Sequence, residues 1–558
     1  MNCNIRKKLS YILILSLLLI TITGCSDKTE DDSSENESNK TEVSTDTDAA
    51  IPTSSEMFTE SDLYKTYDDE NSYHITLSDS AIDADNDSIL IDNKIVTIKN
   101  KGTYIISGDI TNGQIIIDAG EEKVQIVLKN TKMTNGSLAP IYVKSADKVF
   151  VTLADGSNNS LSVSGEFEPD EETNIDGVIF AKDDLVLNGS GSLTITSTYG
   201  HGIVSKDDLK ITAGSYNLTA SEHALSANDS IRLTNASIEI DSGEDGIHTS
   251  GNDEDEQLGY IYIESGNIII SSGDDGIHAE AALDIEGGNI NILKSYEGLE
   301  GRSITINDGN ISLVATDDGL NSSTGSSSSE TSTFPANMQG NMQRPDNANT
   351  PADMQGNMQR PDNANMPADM QGNMQRPDNA NMPADMQGNM QRPDNMHGMD
   401  VYNQDNFICI NGGIVNILAN GDGIDSNGDL CISGGTIYVS GPSNDGNGAL
   451  DYAGEAVITG GTIIATGSSG MAQNFSDNSS QGCILYMLDE YHSESIVISD
   501  SEGNEILSFG PENMYNCINF SSPEIVSGNT YTITVGDEKY SVSMDSLIFQ
   551  NISNFNRR

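Results

Sequence analysis

An all-β fold is predicted from the sequence: a right-handed parallel β-helix of about 22 residues per coil, closed by a small antiparallel β cap. Three observations predict it. A short acidic phrase returns along the chain, as "GEDGIHTS" at Gly243, "GDDGIHAE" at Gly273, "YEGLEGR" at Tyr296, "TDDGLNSS" at Thr316 and "GDGIDSNG" at Gly421. Its small residue falls at Gly202, Ala224, Gly246, Gly276, Gly298, Gly319 and Gly423, with steps of 22, 22, 30, 22 and 21 before a long interruption. A unit of that length cannot bury its apolar face alone, so a fixed period implies stacked coils. Within each unit apolar residues alternate with period two, the mark of strands, and helical periodicity is almost absent.

Each coil reads as three strands. The first carries pairs such as Leu209/Ile211, Ile231/Leu233, Ile261/Ile263, Leu283/Ile285 and Leu430/Ile432. The second carries Ile238/Ile240, Ile268/Ile270, Ile290/Ile292 and Ile437/Val439, and a short third holds Ile203, Leu225, Ile247, Ile277, Leu299, Leu320, Ile424 and Leu450. Gly-Gly pairs at Gly287, Gly412, Gly434 and Gly460 supply the bend between first and second strands. The right-handed crossover preference sets the winding. Upstream, Ile75 to Val163 reads as irregular first coils; from Cys483 the pattern becomes antiparallel hairpins, which hide the open edge of the last coil.

The flanks are of another kind. Residues 1–24 form a signal peptide, with Arg6, Lys7 and Lys8 before an apolar stretch too short for an ordinary spanning helix. Its end, "ITGC", resembles the bacterial lipobox, which implies lipidation at Cys25 and a lipid-anchored protein on the extracellular face of the cell membrane. Residues 25–72 are polar and acidic and read as a disordered stalk. Between Leu320 and Ile408 the coil is interrupted, over 322–403, by a 16-residue repeat beginning at Met338, Met354, Met370 and Met386. Rich in Pro, Asn and Gln, it also reads as disordered.

A formal charge of −58 argues against nucleic acid and against direct adhesion to anionic lipid, so the membrane is reached only through the anchor. Divalent cations, a cationic partner or a neutral polymer remain, with a monomer as the expected assembly state. Equivalent residues of successive coils lie about 4.8 Å apart. The register therefore places Asp245, Asp275, Glu297, Asp318 and Asp422 in one column, and His248, His278, Glu300, Asn321, Asp425 and Asp451 in the next. Like charges so close repel, and without a partner some must hold protons. Calcium resolves this, because its oxygen ligands at roughly 2.3–2.6 Å let one ion bridge two coils. The Ca²⁺ ligands expected are Asp245, Asp275, Glu297, Glu300, Asp318, Asp422 and Asp425. His248 and His278 suit calcium poorly and are read as flanking hydrogen-bond groups or glycan contacts. Turn chemistry alone explains the glycine and one acid, not a second acid or a histidine two or three residues on.

The phrases "GTYIISGDITNGQIIIDAG", "VQIVLKNTKM", "IYVKSADKVFVTLADGSNNSL", the repeated "GDGID…LCISGGTIYVSG" and "FSSPEIVSGNTYTI" together resemble the bacterial extracellular carbohydrate-binding β-helix proteins related to pectate lyases. The resemblance spans roughly Tyr73 to Met544 outside the Met-rich insert. It implies a carbohydrate-binding β-helix over 73–482, a cap over 483–558, calcium sites, and binding of plant cell-wall polysaccharide including pectin and polygalacturonate. It does not by itself imply lyase activity.

Candidate glycan contacts besides the histidines are Lys210, Arg232 and Tyr262, an outward row of the first strand that ends at Asp284, together with Arg302 beside Glu297 and Glu300. Calcium-assisted β-elimination needs a Lys or Arg base, so in the alternative reading as a polysaccharide lyase that base is Arg302. A structural or adhesion β-helix is the third reading. No tryptophan is present, which gives little support to stacking on cellulose. Cys409 and Cys431 share an outward position on adjacent coils, within the separation a disulfide allows.

Overall fold

The computed structural model describes residues 57–63, 66–86, 88–170, 173–251, 257–323 and 402–551. The signal segment, Cys25, most of the stalk and the Met-rich repeats lie outside the described residues.

Period-two alternation becomes strands whose inward residues pair coil to coil. In the row of short third strands, Ile203, Leu225, Ile247, Ile277, Leu299, Leu320, Ile424 and Leu450 are parallel partners in turn. In the first-strand row the succession is Leu209, Ile231, Ile261, Leu283, Ile304, Ile408 and Leu430. In the second it is Leu218, Ile240, Ile270, Ile292, Leu313, Ile417 and Val439. All of these side chains are buried in one continuous core. Each contributes about 1.5–3 kcal/mol relative to exposure. The all-β, β-helix-like prediction holds. Register survives both long coils: Ile231 pairs with Ile261 across one, and Ile304 with Ile408 across the other.

The second glycine of each Gly-Gly pair carries the bend. Gly288, Gly413, Gly435 and Gly461 have φ of 102°, 80°, 82° and 82°, a region that side chains disfavour. Cys409 and Cys431 are register partners joined by a disulfide, with Cα atoms 4.6 Å apart.

Both ends of the stack are antiparallel. At the start, Tyr73–Leu77 pairs with Asp83–Ala84, and Leu90–Asp92 with Ile95–Ile98. At the far end, Tyr515–Ser521 runs antiparallel to Thr462–Gly467 of the last coil and to Cys483–His492. A separate four-stranded antiparallel sheet comprises Ile496–Ser499, Glu505–Phe509, Thr530–Val535 and Glu538–Ser543. Strands laid across the last coil cover ladder groups that another chain could otherwise pair with.

One expectation is corrected here. The stalk expected to be disordered through residue 72 is not so throughout: residues 57–63 pack on the solenoid, with a short helix at Glu60–Leu63. Met57, Phe58 and Asp62 are buried, and the two apolar side chains join Tyr260, Tyr262 and Ala281 in a small core of their own.

Candidate functional site

Two rows of outward side chains flank the third strands. The first contains the residue that precedes each coil's small residue: His201, His223, Asp245, Asp275, Glu297, Asp318 and Asp422. The small residue is needed for coil stacking. A Cβ on Gly276 would lie 2.6 Å from both the Gly298 carbonyl oxygen and Ile292 Cδ1, closer than atoms tolerate.

These side chains form a ladder of bonds to the next coil's backbone. The His223 N–H donates to His201 Nδ1 and the Asp245 N–H to His223 Nδ1, each at 3.1 Å. Asp275 N–H then donates to Asp245 Oδ1 at 2.9 Å, and Glu297 N–H to Asp275 Oδ1 at 3.0 Å. Asp422 N–H donates to Asp318 Oδ1, and Gly448 N–H to Asp422 Oδ1. Among the acids the ladder uses Oδ1 of Asp245, Asp275, Asp318 and Asp422, whose second oxygen is Oδ2; Glu297 Oε2 accepts from Asn321 Nδ2.

Those second oxygens meet the neighbouring row. Asp245 Oδ2 lies 2.8 Å from His248 Nδ1, 3.4 Å from His223 Nδ1 and 3.7 Å from His278 Nδ1. His278 Nδ1 is also 3.5 Å from Asp275 Oδ2 and 3.3 Å from Glu300 Oε2. Along this second row His248, His278, Glu300, Asn321, Asp425 and Asp451 are successive register partners. Four groups bring their ligand atoms within 4.8 Å of one another: His223–Asp245–His248, Asp245–Asp275–His278, Asp275–Glu297–Glu300 and Asp318–Asp422–Asp425.

The electrostatics follow from crowding in a half-dry row. Burial and the carboxylates of Glu300, Glu297 and Asp245 push the Asp275 carboxyl far above its ordinary range. Burial, and then the Glu300 charge, take Glu297 up to about 8. Asp245 behaves oppositely: burial disfavours its charge, but the His248 hydrogen bond and the surrounding imidazoles outweigh it and hold it low. Burial takes His201 down to about 4 and His223 to about 3. Both imidazoles are therefore neutral at neutral pH, as their Nδ1 acceptor role demands.

The all-oxygen rungs fit a hard cation. Asn321 donates Nδ2 to Glu297 Oε2 at 2.8 Å, while its Oδ1 is buried with no hydrogen-bond partner. A buried oxygen left so is costly, and a cation beside it would satisfy it.

Every metal residue expected from sequence falls in these two rows. His201 and His223 were missed. Their coils lack the acidic phrase, and Ala224 replaces the glycine, so only the 22-residue spacing from Asp245 pointed to His223.

The cationic row is where the structure departs from expectation. Lys210, Arg232, Tyr262 and Asp284 are register partners. Lys210 and Tyr262, however, are only 5% and 2% exposed. Residues 57–63 cover them. Asp62, itself 0% exposed, lies 3.5 Å from both Lys148 Nζ and Lys210 Nζ. Arg232 donates to both Asp208 carboxylate oxygens and, at 3.1 Å, to the Met57 carbonyl; its guanidinium also sits over the Tyr260 ring. Phe58 packs against Tyr262 with ring centroids 6.2 Å apart. The reading of Lys210, Arg232 and Tyr262 as an open sugar clamp is thus overturned, because their charges and ring are already engaged. Arg302 is half-buried, and its charge favours the Glu280 carboxylate, although burial prevails and Glu280 is raised.

Fold and site together define a β-helix-like scaffold bearing stacked carboxylate and imidazole rows. Residues 92–334 match the family model described as "Carbohydrate-binding domain-containing protein". A protein of the same description from Acetivibrio thermocellus is 37% identical over 150 residues, which cover 26% of this chain and 52% of that protein. The chain thus spans about half the length of the curated relative it matches. The solved structure of the polysaccharide lyase-like protein from C. thermocellum, a gadolinium derivative, aligns at 31% identity with 44% of this chain and 91% of its own, with a TM-score of 0.38.

Proposed function

We propose that this chain is a calcium-dependent polysaccharide-binding protein. It is a monomer held at the extracellular face of the cell membrane by a lipid on Cys25. Its principal ligands are acidic plant cell-wall glycans of the pectin and polygalacturonate type, with cellulose a weaker one. The right-handed winding and the coil of about 22 residues belong to the same reading. The observation that carries it is the clustering of carboxylates in the two rows, where Asp275, Glu297 and Glu300, and again Asp318, Asp422 and Asp425, bring oxygens within 4.8 Å of one another. The carbohydrate-binding description of the family matched over 92–334 supports the polymer as partner. Calcium joins the two ideas: a polyanion approaches a chain of charge −58 only when metal neutralises the contact.

The test is a polygalacturonate pull-down during a calcium titration. Retention should rise with calcium and vanish with chelator, and no unsaturated uronate should form. Retention that ignores chelator would sink the calcium reading. Growth of unsaturated-uronate absorbance, abolished by Arg302→Ala, would replace the binding reading with a lyase whose base is Arg302.

A further inference from the structure

The two rows are not chemically uniform. From Asp318 onward the clustered donors are carboxylates alone, whereas around Asp245 three imidazoles converge on one carboxylate oxygen. We propose that the group formed by Asp245, Asp275 and His278 is a second kind of metal site, one that takes a borderline divalent ion of the zinc class in preference to calcium.

Donor type comes first. Imidazole nitrogen binds Zn²⁺ and its neighbours well, whereas Ca²⁺ takes oxygen, so a site organised about a nitrogen is poorly matched to the hard cation. Geometry agrees. Ligands about 2.0–2.2 Å from one tetrahedral ion lie about 3.3–3.6 Å from each other. His278 Nδ1 stands 3.3 Å from Glu300 Oε2, 3.5 Å from Asp275 Oδ2 and 3.7 Å from Asp245 Oδ2. The ligand atoms of Asp245, Asp275 and His278 all lie within 4.8 Å of one another, so one ion can take the nitrogen and two carboxylate oxygens, with Glu300 Oε2 beside the nitrogen.

The supporting shell is in place. Asp245 and Asp275 are fixed through Oδ1 by the ladder, which turns Oδ2 of each toward His278. His248 Nδ1 sits 2.8 Å from Asp245 Oδ2 and positions that carboxylate, much as outer-shell partners orient metal ligands elsewhere. Burial is deep but not complete. The side chains of Asp245 and Asp275 are 5% and 9% exposed, those of His278 and Glu300 21% and 14%, so an ion can enter from one side. The proposal meets the calcium reading at Asp275, but the Asp318–Asp422–Asp425 group of that reading lies outside it, so the two are tested at different residues.

The experiment uses the full chain, stripped with chelator and loaded with Co²⁺ as a visible probe, then titrated with Zn²⁺ or Ca²⁺. Co²⁺ should develop a ligand-field spectrum with nitrogen character, Zn²⁺ should displace it, and an equal excess of Ca²⁺ should not. His278→Gln exchanges the nitrogen for an amide of similar size. It should abolish the spectrum and weaken Zn²⁺ by about tenfold or more, at least what loss of an outer-shell partner costs. Its calcium response should be unchanged. Asp422→Asn should do the reverse, weakening calcium and sparing the cobalt spectrum, so the two readings fail separately. His278→Ala serves as a second variant, and the melting of both metal-free variants checks the fold. Zn²⁺ affinity unchanged in both His278 variants, or full displacement of Co²⁺ by Ca²⁺ from the wild-type chain, would overturn the proposal.

Discussion

Two outward rows of the same solenoid, built by the same alternation, have opposite electrostatic fates. Along the first strand Lys148, Lys210 and Arg232 are answered by Asp62, Asp184 and Asp208 beneath residues 57–63. Beside the third strand the Asp245-to-Asp422 row has mainly itself for company, with imidazoles at one end. The difference teaches that an outward position on a coil is not yet a solvent position. The covered row has its countercharges in the chain; the acidic row crowds like charges together. In the first, removing an acid uncovers cations; in the second, it relieves repulsion.

Three measurements press on that contrast. The largest effect is expected at Asp62. Asp62→Ala leaves Lys148 and Lys210 buried without their shared partner, a class of change that costs about 3–5 kcal/mol. Denaturant unfolding should show a large fall in midpoint with little change in slope. A variant as stable as wild type would mean that residues 57–63 do not hold the cations.

The opposite sign is expected at Asp275. Asp275→Asn keeps the Oδ1 acceptor for the Glu297 N–H while removing a charge that its neighbours disfavour. In chelator the variant should melt higher than wild type, by about 1 kcal/mol or more at neutral pH, since one unit of pKa displacement corresponds to about 1.4 kcal/mol. With calcium or zinc the order should reverse. If the variant melts lower with and without metal, Asp275 is an ordinary structural acid.

The third measurement is a slope with pH in the metal-free protein. Glu297 has a folded pKa of about 8, raised above its ordinary 4.5, so its stability is fully present below about 4.5 and is lost as pH rises to about 8. His201 and His223, lowered from 6.5 to about 4 and about 3, contribute stability present above 6.5 and lost as pH falls through those values. Between about 6.5 and 8 only the carboxyl side acts, at about 1.4 kcal/mol per pH unit for each group. Thermal melts in chelator should fall across that window, and bound metal should flatten the fall. A chelated protein that gains stability from 6.5 to 8 would contradict the crowding described for this row.

Much of this was legible in the sequence, for physical reasons that also mark where legibility stopped. Strand pairing follows from period-two alternation and a fixed step, so spacing alone makes Ile247 a partner of Ile277 and Cys409 a partner of Cys431. The acid rows followed from the same register. His201 and His223 escaped because the repeat is most visible where an acid precedes a glycine, and neither coil offers that pair. Residues 57–63 escaped for a different reason. Their contacts with Lys210 and Arg232 span 148 and 175 residues of chain, and no local periodicity encodes such contacts. The signal present was modest: Met57, Phe58 and Leu63 interrupt a stretch otherwise almost free of large apolar residues.

The coil-to-coil ladder has a consequence for how such a chain can lengthen. From His201 to Asp275 each side chain accepts the N–H of the equivalent residue in the following coil, so four rungs repeat one bond. Duplication of one such unit would therefore add one complete rung, already in register and with its own outward donor atom. The turn after the third strand carries an eight-residue extension at Gly251 in one coil and a far longer one after Ser323 in another, while the neighbouring rungs keep their partners. Ancestry by tandem copying, followed by free drift of turn length and residue-by-residue exchange of carboxylate for imidazole, is enough to generate a graded series of sites along a single spine.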